Sequence, residues 1–491
     1  MAEERSSSAL WDAFRERTSD LGSSTAVAAP AEELTFWDLW REAERMASLL
    51  ADAGVPEGGV AGLALPNSPR FVTTFLALCR LDASVGLLSP QYGSAELSAI
   101  VAGIRPSCIV TDASLASGIG AAVEIGGFGR ADDLHVLSPA GGGGETVSRS
   151  TALLKFSSGS TAEPKGIALG ARNVIAEVEN VTQTLGLAPG DRVLAGVPLF
   201  HSYGFDLGVL TTLYAGTTLV LEDAFVPRRT LTALAGSELT GFLGVPAQYR
   251  ALLATRVDAP PDLSAIRWLL SCTAPLAPEV VGEFGERFNA PICQHYGSSE
   301  TGAVTNHVPA EVLRRPASVG RPLTGVRAIV ADSDGVELPA GDEGEVVVES
   351  GAVADGYVLG APRGPSPFRG GSFWTGDVGR MDADGFLTVL GRRDALINVG
   401  GLKVSPAEVA GTLERHPAVR EAAVVGVPDG RGDELPYAVV ALSGAADESA
   451  LLAFCRAALA EYKVPRRIEI RDELPKTASG KVRLTVEDLE G

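Results

Sequence analysis

Residues 152–166 read ALLKFSSGSTAEPKG, an apolar run of strand character, Ala152–Phe156, that breaks into a loop of small polar residues. Ser157, Ser158, Ser160 and Thr161 supply hydroxyls, Gly159 and Gly166 let backbone N–H groups approach an oxygen closely, and Lys165 adds a positive charge. Such a loop can wrap a polyphosphate, whose charge calls for both N–H donors and a cation. It is not a Walker A loop, because Lys165 precedes Gly166 and no Gly-Lys-Ser/Thr follows. An ordinary surface turn has much the same composition, so the loop gains meaning only from the chain around it.

Upstream, apolar strands alternate with amphipathic helices. Phe36–Ala53 puts Leu39, Ala43, Met46, Ala47 and Leu50 on one helical face. Val60–Leu65 reads as a strand, Ser68–Leu81 as a helix, Ala83–Leu88 as a strand, Glu96–Ile104 as a helix and Cys108–Thr111 as a strand. This rhythm predicts a mainly parallel, helix-covered sheet. The Gly/Ala-rich stretch Ala116–Gly144 reads as a loop with little regular structure. A second α/β region is expected from about Ser150 to Pro316. From Val319 to Leu390 short β runs (Arg327–Ala331, Gly344–Glu349, Gly385–Leu390) are split by Gly, Pro and Asp, the pattern of a small β-rich lobe. After Gly391 a compact α+β domain is expected, with helices over Val404–His416 and Glu448–Ala460 and strands over Val419–Val427 and Tyr437–Leu442.

At 491 residues, 45% hydrophobic and 21% charged, the chain is long enough for more than one core and too apolar for wholesale disorder. A formal charge of −20 argues against a duplex-binding surface, so no nucleic-acid partner is expected. No apolar run approaches the about 18 residues of a spanning helix, and the N-terminal stretch lacks a basic region followed by an apolar one. Cys79, Cys108, Cys272, Cys293 and Cys455 are scattered without metal or redox spacing and read as reduced thiols of a cytoplasmic protein. Of the 41 basic residues only six are lysines: Lys155, Lys165, Lys403, Lys463, Lys476 and Lys481. Where Arg is the default cation, a Lys points to a site that needs a compact charge with freely turning donors.

Five further motifs follow the loop in order: PLFHSYGF (198–205), QHYGSSE (294–300), WTGD (374–377), GRRD (391–394) and PKTASGK (475–481). Individually modest, together they are specific. The set resembles the acyl-adenylate-forming superfamily of acyl- and aryl-CoA ligases, peptide-synthetase adenylation domains and luciferases, over nearly the whole chain. The resemblance implies an α/β fold with a large N-terminal domain (1–391) of two α/β sheet lobes and a small β-rich lobe. A hinge (392–395) centred on Asp394 and a small mobile α+β C-terminal domain (396–491) would complete it.

The implied reaction joins a small-molecule carboxylic acid to a thiol through an acyl-adenylate, using ATP and Mg²⁺ and releasing pyrophosphate. A carboxylate approaching the α-phosphate sets anion against anion, so the barrier is largely charge repulsion, which a metal on the phosphates screens. By resemblance, Glu300 holds Mg²⁺, the Ser299 hydroxyl bonds the α-phosphate, and Ser157–Gly166 is the phosphate loop. Thr273, Ala274, Pro275, His295, Tyr296 and Gly297 would line the nucleotide, with Tyr296 stacked on adenine. Asp377 would take both ribose hydroxyls, and Arg392 would be the second sugar contact. Lys481 would reach between the carboxylate and the α-phosphate, where a charge pair at ~4 Å and an effective dielectric of ~20 contributes roughly 4 kcal/mol before desolvation. His201 resembles the gate between acid site and thiol tunnel, and a core histidine fits the same position. Gly400, Gly401 and Lys403 would line that tunnel, although Lys403 also reads as a solvated strand end.

Tyr203, Asp206, Leu207, Phe242 and Gly244 are the implied acid pocket. Asp206 is its odd member, since an unpaired carboxylate is costly to bury. It either caps a helix running to Tyr214 or pairs with an amino or hydroxyl group on an acid, plausibly an aryl one. The chain departs from the family pattern at Ala162, where the loop usually has Gly, at the following Glu163, and at Asn398, where many relatives have Lys. The thiol is open between coenzyme A and a carrier-protein phosphopantetheine. Residues 456–483 carry eight basic residues against four acids, which suits either donor, and a carrier protein would act in trans. Two other readings are an adenylating enzyme that passes its activated oxyanion to an amine or to nitrite, and a non-catalytic nucleotide-binding homologue.

Overall fold

The first amphipathic pattern becomes the helix Phe36–Asp52, which buries Leu39, Ala43, Met46, Ala47 and Leu50. Thr35 caps it: its Oγ1 accepts the Asp38 N–H at 3.1 Å, while the Asp38 carboxylate accepts the Thr35 N–H. The computed structural model describes residues 7–143, 146–158, 164–236, 238–361, 365–393, 395–399, 402–428, 434–476, 482 and 484–489. The chain forms two compact units, Met1–Ala328 with Val348–Phe373, and Ile329–Val347 with Trp374–Gly491.

The first unit holds two sheets. An eight-stranded one runs Gly356–Leu359, Pro164–Gly170, Thr151–Ser158, Ser84–Leu87, Val60–Ala64, Cys108–Thr111, Leu134–Pro139, Ile125–Ala131 among the described residues. The strands from Thr151–Ser158 to Cys108–Thr111 are parallel, and both flanks are antiparallel. A nine-stranded sheet runs Arg321–Pro322, Gly302–Asn306, Ile292–Ser298, Trp268–Ser271, Gly241–Gly244, Arg192–Ala195, Thr218–Val220, Thr25–Ala29, Glu32–Thr35. It is parallel from Ile292–Ser298 through Thr25–Ala29. Parallel strands deliver their carboxyl ends to one edge, where ligands of open α/β sheets bind. That edge receives residues 272–275 and 298–301, which follow Trp268–Ser271 and end Ile292–Ser298.

The stretch expected as an irregular loop, Ala116–Gly144, instead holds regular structure as far as Pro139. A helix Ala113–Ala122 starts on Asp112, whose carboxylate accepts the N–H groups of Ser114 and Leu115. A hairpin follows, Ile125–Ala131 with Leu134–Pro139, turning through Asp132 at φ +60° and Asp133. The reading missed them because Gly and Ala carry little periodic signal, while the cap and the buried Leu134 and Val136 do the specifying.

In the second unit, residues 377–381 pair antiparallel with 387–392, and Ile397–Val399 pairs with Leu402–Val404. The helix expected from Val404 begins at Pro406 and ends at Glu414 because Leu402–Val404 is strand and Ser405 caps. A three-stranded sheet, Val419–Pro428, Glu434–Leu442 and Arg467–Arg471, packs with this helix and with Glu448–Ala458 around Leu413, Val440, Leu451 and Ile468.

Candidate active site

The turn 298–302 is the best-fixed part of the site. Ser298 and Thr301 brace it from within: the Ser298 N–H donates to Thr301 Oγ1 at 3.1 Å, and the Glu300 and Thr301 N–H groups donate to Ser298 Oγ. The Ala354 N–H donates to the Glu300 carbonyl at 2.8 Å, and the Tyr357 hydroxyl donates to Glu300 Oε1 at 2.9 Å. Ser299 Oγ lies 2.8 Å from Ser202 Oγ, so the QHYGSSE and PLFHSYGF motifs meet through two hydroxyls. Gly297 has to be glycine, because a Cβ there would lie 2.3 Å from the Gly302 carbonyl oxygen.

The strands Thr151–Ser158 and Pro164–Gly170 form a hairpin whose register sets Ser157 opposite Lys165 and Phe156 opposite Gly166. Gly159, Ser160 and Thr161 lie outside the described residues, as does the Ser158 side chain. Lys165 Nζ lies 5.6 Å from the centre of the Tyr357 ring, a cation–π contact. One tyrosine thus offers its face to Lys165 and its hydroxyl to Glu300.

His201 Nδ1 accepts the Tyr203 N–H at 3.3 Å, at the start of a short helical turn. Tyr203 is buried, stacks on His295 at 6.0 Å, and donates its hydroxyl to the Leu270 carbonyl at 2.9 Å. Burial lowers the His295 pKa to about 4, so the ring is neutral at physiological pH, with Nδ1 at 3.3 Å from Asn306 Oδ1. Leu207 and Phe242 are also buried, Phe242 against Tyr249, and both rings fill the space in front of Gly244.

Asp206 corrects the sequence reading. It lies within a π-helical stretch, Phe205–Leu210, and caps nothing. Both of its oxygens accept hydrogen bonds from Lys155 Nζ, at 2.7 and 2.6 Å, with the two side chains 4% and 3% exposed. Its described partner is therefore a lysine of this chain. Glu177, on the helix Ala171–Leu185, completes a buried trio. Its Oε1 accepts the Ala303 N–H at 2.8 Å, and its Oε2 has no hydrogen-bond partner among the described residues. Burial, then the nearby Asp206 charge, push the Glu177 pKa up to about 8 against the opposing pull of Lys155 and the Ala303 N–H.

After the strand Trp268–Ser271, Thr273 adopts φ +76°, a strained conformation for a β-branched residue, next to the exposed Ala274 and Pro275. Gln294 fastens this turn. It accepts the Leu276 N–H and donates to the carbonyls of Pro316 and Ser318. Tyr296 is half-buried.

In the second unit, Asp377 and Arg392 stand opposite each other in the ladder, N to O at 3.5 Å. The Arg392 guanidinium also donates to the Thr375 carbonyl, and the Asp377 N–H donates to Thr375 Oγ1. Buried Glu345 accepts from the Gly376 N–H at 3.0 Å and from the Arg393 guanidinium at 2.5 Å. The Asn398 N–H donates to Glu434. Asp394, Gly400, Gly401 and Lys481 lie outside the described residues, as does the Lys403 side chain. Lys476 and Val482 form the antiparallel bridge that brackets residues 477–481.

The structure thus brings Glu300, Ser299 and His201's neighbour Ser202 to one place, and pairs Asp377 with Arg392. Sequence reasoning missed Tyr357, Glu345, Glu177 and Lys155 as participants. Only Lys155 had a signal, the scarcity of lysine. Among the described residues no group of three or more His, Cys, Asp or Glu is placed to hold a metal. The single Glu300 carboxylate fits Mg²⁺, which keeps waters and phosphate oxygens in most of its coordination positions. No described helix is long and apolar enough to cross a membrane.

Comparison with known proteins follows the same outline. The family model for the AMP-binding enzyme matches residues 14–358, and that for the AMP-binding enzyme C-terminal domain matches 408–481. A probable CoA ligase of Humulus lupulus is 31% identical, over 96% of this chain and 94% of its own. Among solved structures, ATP-bound MatB from Rhodopseudomonas palustris superposes with TM-score 0.84 at 27% identity, covering 97% of both chains. The o-succinylbenzoate CoA synthetase of Bacillus subtilis, in complex with its acyl-adenylate, gives TM-score 0.83 at 26% identity, covering 96% of both.

Two outcomes are expected from this geometry. Thr273→Gly relieves the positive φ and raises stability by ~1 kcal/mol in urea unfolding, the relief exceeding glycine's entropic cost. Glu177 has a folded pKa near 8 against an ordinary 4.5, so the stability tied to its proton is full below about 4.5 and is lost as pH rises to about 8. Glu177→Gln cannot ionise. Its urea midpoint gains on that of the unaltered protein from about pH 5 to about pH 8 and the difference then levels off, whereas a pH-independent difference contradicts the assignment.

Proposed function

We infer that this chain, which belongs to the AMP-binding enzyme family, is an AMP-forming acid–thiol ligase that converts a carboxylic acid to an acyl-adenylate and passes the acyl group to coenzyme A. The observation that carries the reading is the turn 298–302, where a fixed carboxylate, Glu300, and a hydroxyl, Ser299, stand at the carboxyl edge of a parallel sheet. Mg²⁺, when bound by Glu300, supplies charge neutralisation for the triphosphate and its pyrophosphate leaving group. The chain's own residues do the rest. Ser299 donates to the α-phosphate, Lys165 and the loop 157–166 hold the leaving phosphates, and Tyr296 stacks on adenine beside Thr273–Pro275. Asp377 accepts from both ribose hydroxyls with Arg392 beside it, and the ion pair between them already orients that carboxylate.

In the first half-reaction the carboxylate oxygen of the acid attacks the α-phosphorus and pyrophosphate departs. Lys481 lowers the repulsion between the two anions as they meet. In the second the thiol sulfur attacks the acyl carbon, AMP leaves, and the thiol proton passes to solvent. His201 gates the thiol approach, with Gly400, Gly401 and Lys403 along its tunnel. The two halves need two arrangements of the 1–391 and 396–491 domains, pivoting at Asp394. Relatives named as CoA ligases support coenzyme A over a carrier-protein phosphopantetheine. The cytoplasm, where ATP and coenzyme A are plentiful, is the fitting compartment.

Pyrophosphate release across a panel of aryl, dicarboxylic and fatty acids tests the adenylation. Product analysis with and without coenzyme A tests the acceptor, and an amide in place of a thioester would overturn the thiol reading. Lys481→Ala is expected to slow adenylate formation by ~10²–10³-fold while sparing thioester formation from a supplied acyl-adenylate. Equal loss in both halves would refute the role given to Lys481.

A further inference from the structure

We propose that Glu177 is a positioning residue for the turn that carries Glu300, serving as a fixed hydrogen-bond acceptor and a wedge beneath Gly302. The proposal rests on the reading of Glu300 as the Mg²⁺ carboxylate. A carboxyl group in the buried middle of a helix is expensive, and an aliphatic side chain of similar volume would fill the space without leaving an oxygen unpartnered. Glu177 is 1% exposed, and among the described residues its Oε2 is left without a hydrogen-bond partner. What it offers that a leucine lacks is an acceptor.

The group that needs one is the Ala303 N–H. The strands Ile292–Ser298 and Gly302–Asn306 slip register between Tyr296 and Gly297, and Ala303, itself buried, has its N–H turned to Glu177 Oε1 at 2.8 Å. Directly before it, Gly302 sits at φ +67° with the Glu177 carboxyl filling the place of a side chain. A Cβ on Gly302 would lie 1.9 Å from Oε2. The residue two places earlier is Glu300. The turn is therefore held by the Ala354 N–H on the Glu300 carbonyl, by the Tyr357 hydroxyl on Glu300 Oε1, and by Glu177 at its closing end.

The position of Glu177 is set in its turn. Lys155, from the strand Thr151–Ser158, directs both of its short hydrogen bonds to Asp206, while Glu177 Oε1 accepts the Ala303 N–H. Burial and Asp206 keep it a neutral acid, a state that an amide imitates.

The test is the gain in ATP affinity that Mg²⁺ confers, measured by isothermal titration of the whole chain with ATP in EDTA and with Mg·ATP, no acid present. Glu177→Ala is expected to cut that gain by about tenfold or more, while Glu177→Gln, which keeps the acceptor and the volume, stays within about threefold of the unaltered protein. Glu300→Gln is run beside them. Loss in both Glu300→Gln and Glu177→Ala supports the proposal. Loss in Glu300→Gln with the gain retained in Glu177→Ala overturns the proposal and leaves the Mg²⁺ reading standing. A full gain in Glu300→Gln overturns that reading and the proposal with it. Glu177→Gln losing as much as Glu177→Ala also overturns it, because the role would then need the charge. Should Glu177→Ala fail to fold, Gly302→Ala presses a methyl group onto the carboxyl and is expected to show the same loss, and its retaining the gain would count against the wedge.

Discussion

A lysine and an aspartate taken out of water together fix the interior of the first unit. Lys155 and Asp206 are 51 residues apart, and Nζ meets both carboxylate oxygens at hydrogen-bond distance. Desolvating two charges costs several kcal/mol per ion, and only such close two-fold geometry offsets it. The pair ties the strand Thr151–Ser158 to the helical stretch Phe205–Leu210. It also decides the state of its neighbour: one cation faces two acids, so the third group is carried as a neutral acid, and Glu177 is that group. The same Glu177 accepts the Ala303 N–H at the closing end of the turn that carries Glu300.

The reaction adds a negative group to a negative group inside a protein of net charge −20. Local positive charge must therefore be held where it acts, and each cation needs a neighbour that does not quench it. Lys165 illustrates how. It rests on the face of Tyr357, whose hydroxyl serves Glu300, so an aromatic ring and not a carboxylate is its described contact. Arg392 follows a different rule. It lies against Asp377 at 3.5 Å, partly exposed, and donates a shorter bond to the Thr375 carbonyl.

Much of this was legible in the sequence where a periodic pattern or a short motif carried it. The helix Phe36–Asp52 and the strands Val60–Ala64 and Cys108–Thr111 follow from spacing alone, because burial of one face dictates them. The grouping of Ser299 with the PLFHSYGF segment follows from motif order, although the hydroxyl contact through Ser202 does not. The region 113–139 was not legible, because Gly and Ala leave periodicity blank and a single aspartate starts the helix. Tyr357 and Glu345 were not legible for another reason. Each works through a long-range contact, 57 residues away in one case and 48 in the other, and no local pattern encodes that.

Asp206 shows where sequence reasoning stops and why. Its apolar neighbours, Tyr203, Phe205 and Leu207, establish that a carboxylate there must have a partner, and the sequence offers a cap or a substrate group. The energetics separate a resident partner from a visiting one. An aspartate that relied on the substrate for its counter-charge would be buried and unpaired each time product left, at a cost comparable to breaking a buried ion pair, ~3–5 kcal/mol. A resident lysine removes that recurring cost. The lysine rises from the middle of a strand in which Ala152, Leu153 and Leu154 before it are buried. A planar guanidinium would need more room than a single ammonium reaching both oxygens. In a chain rich in arginine, the lysine at position 155 meets both Asp206 oxygens through one ammonium.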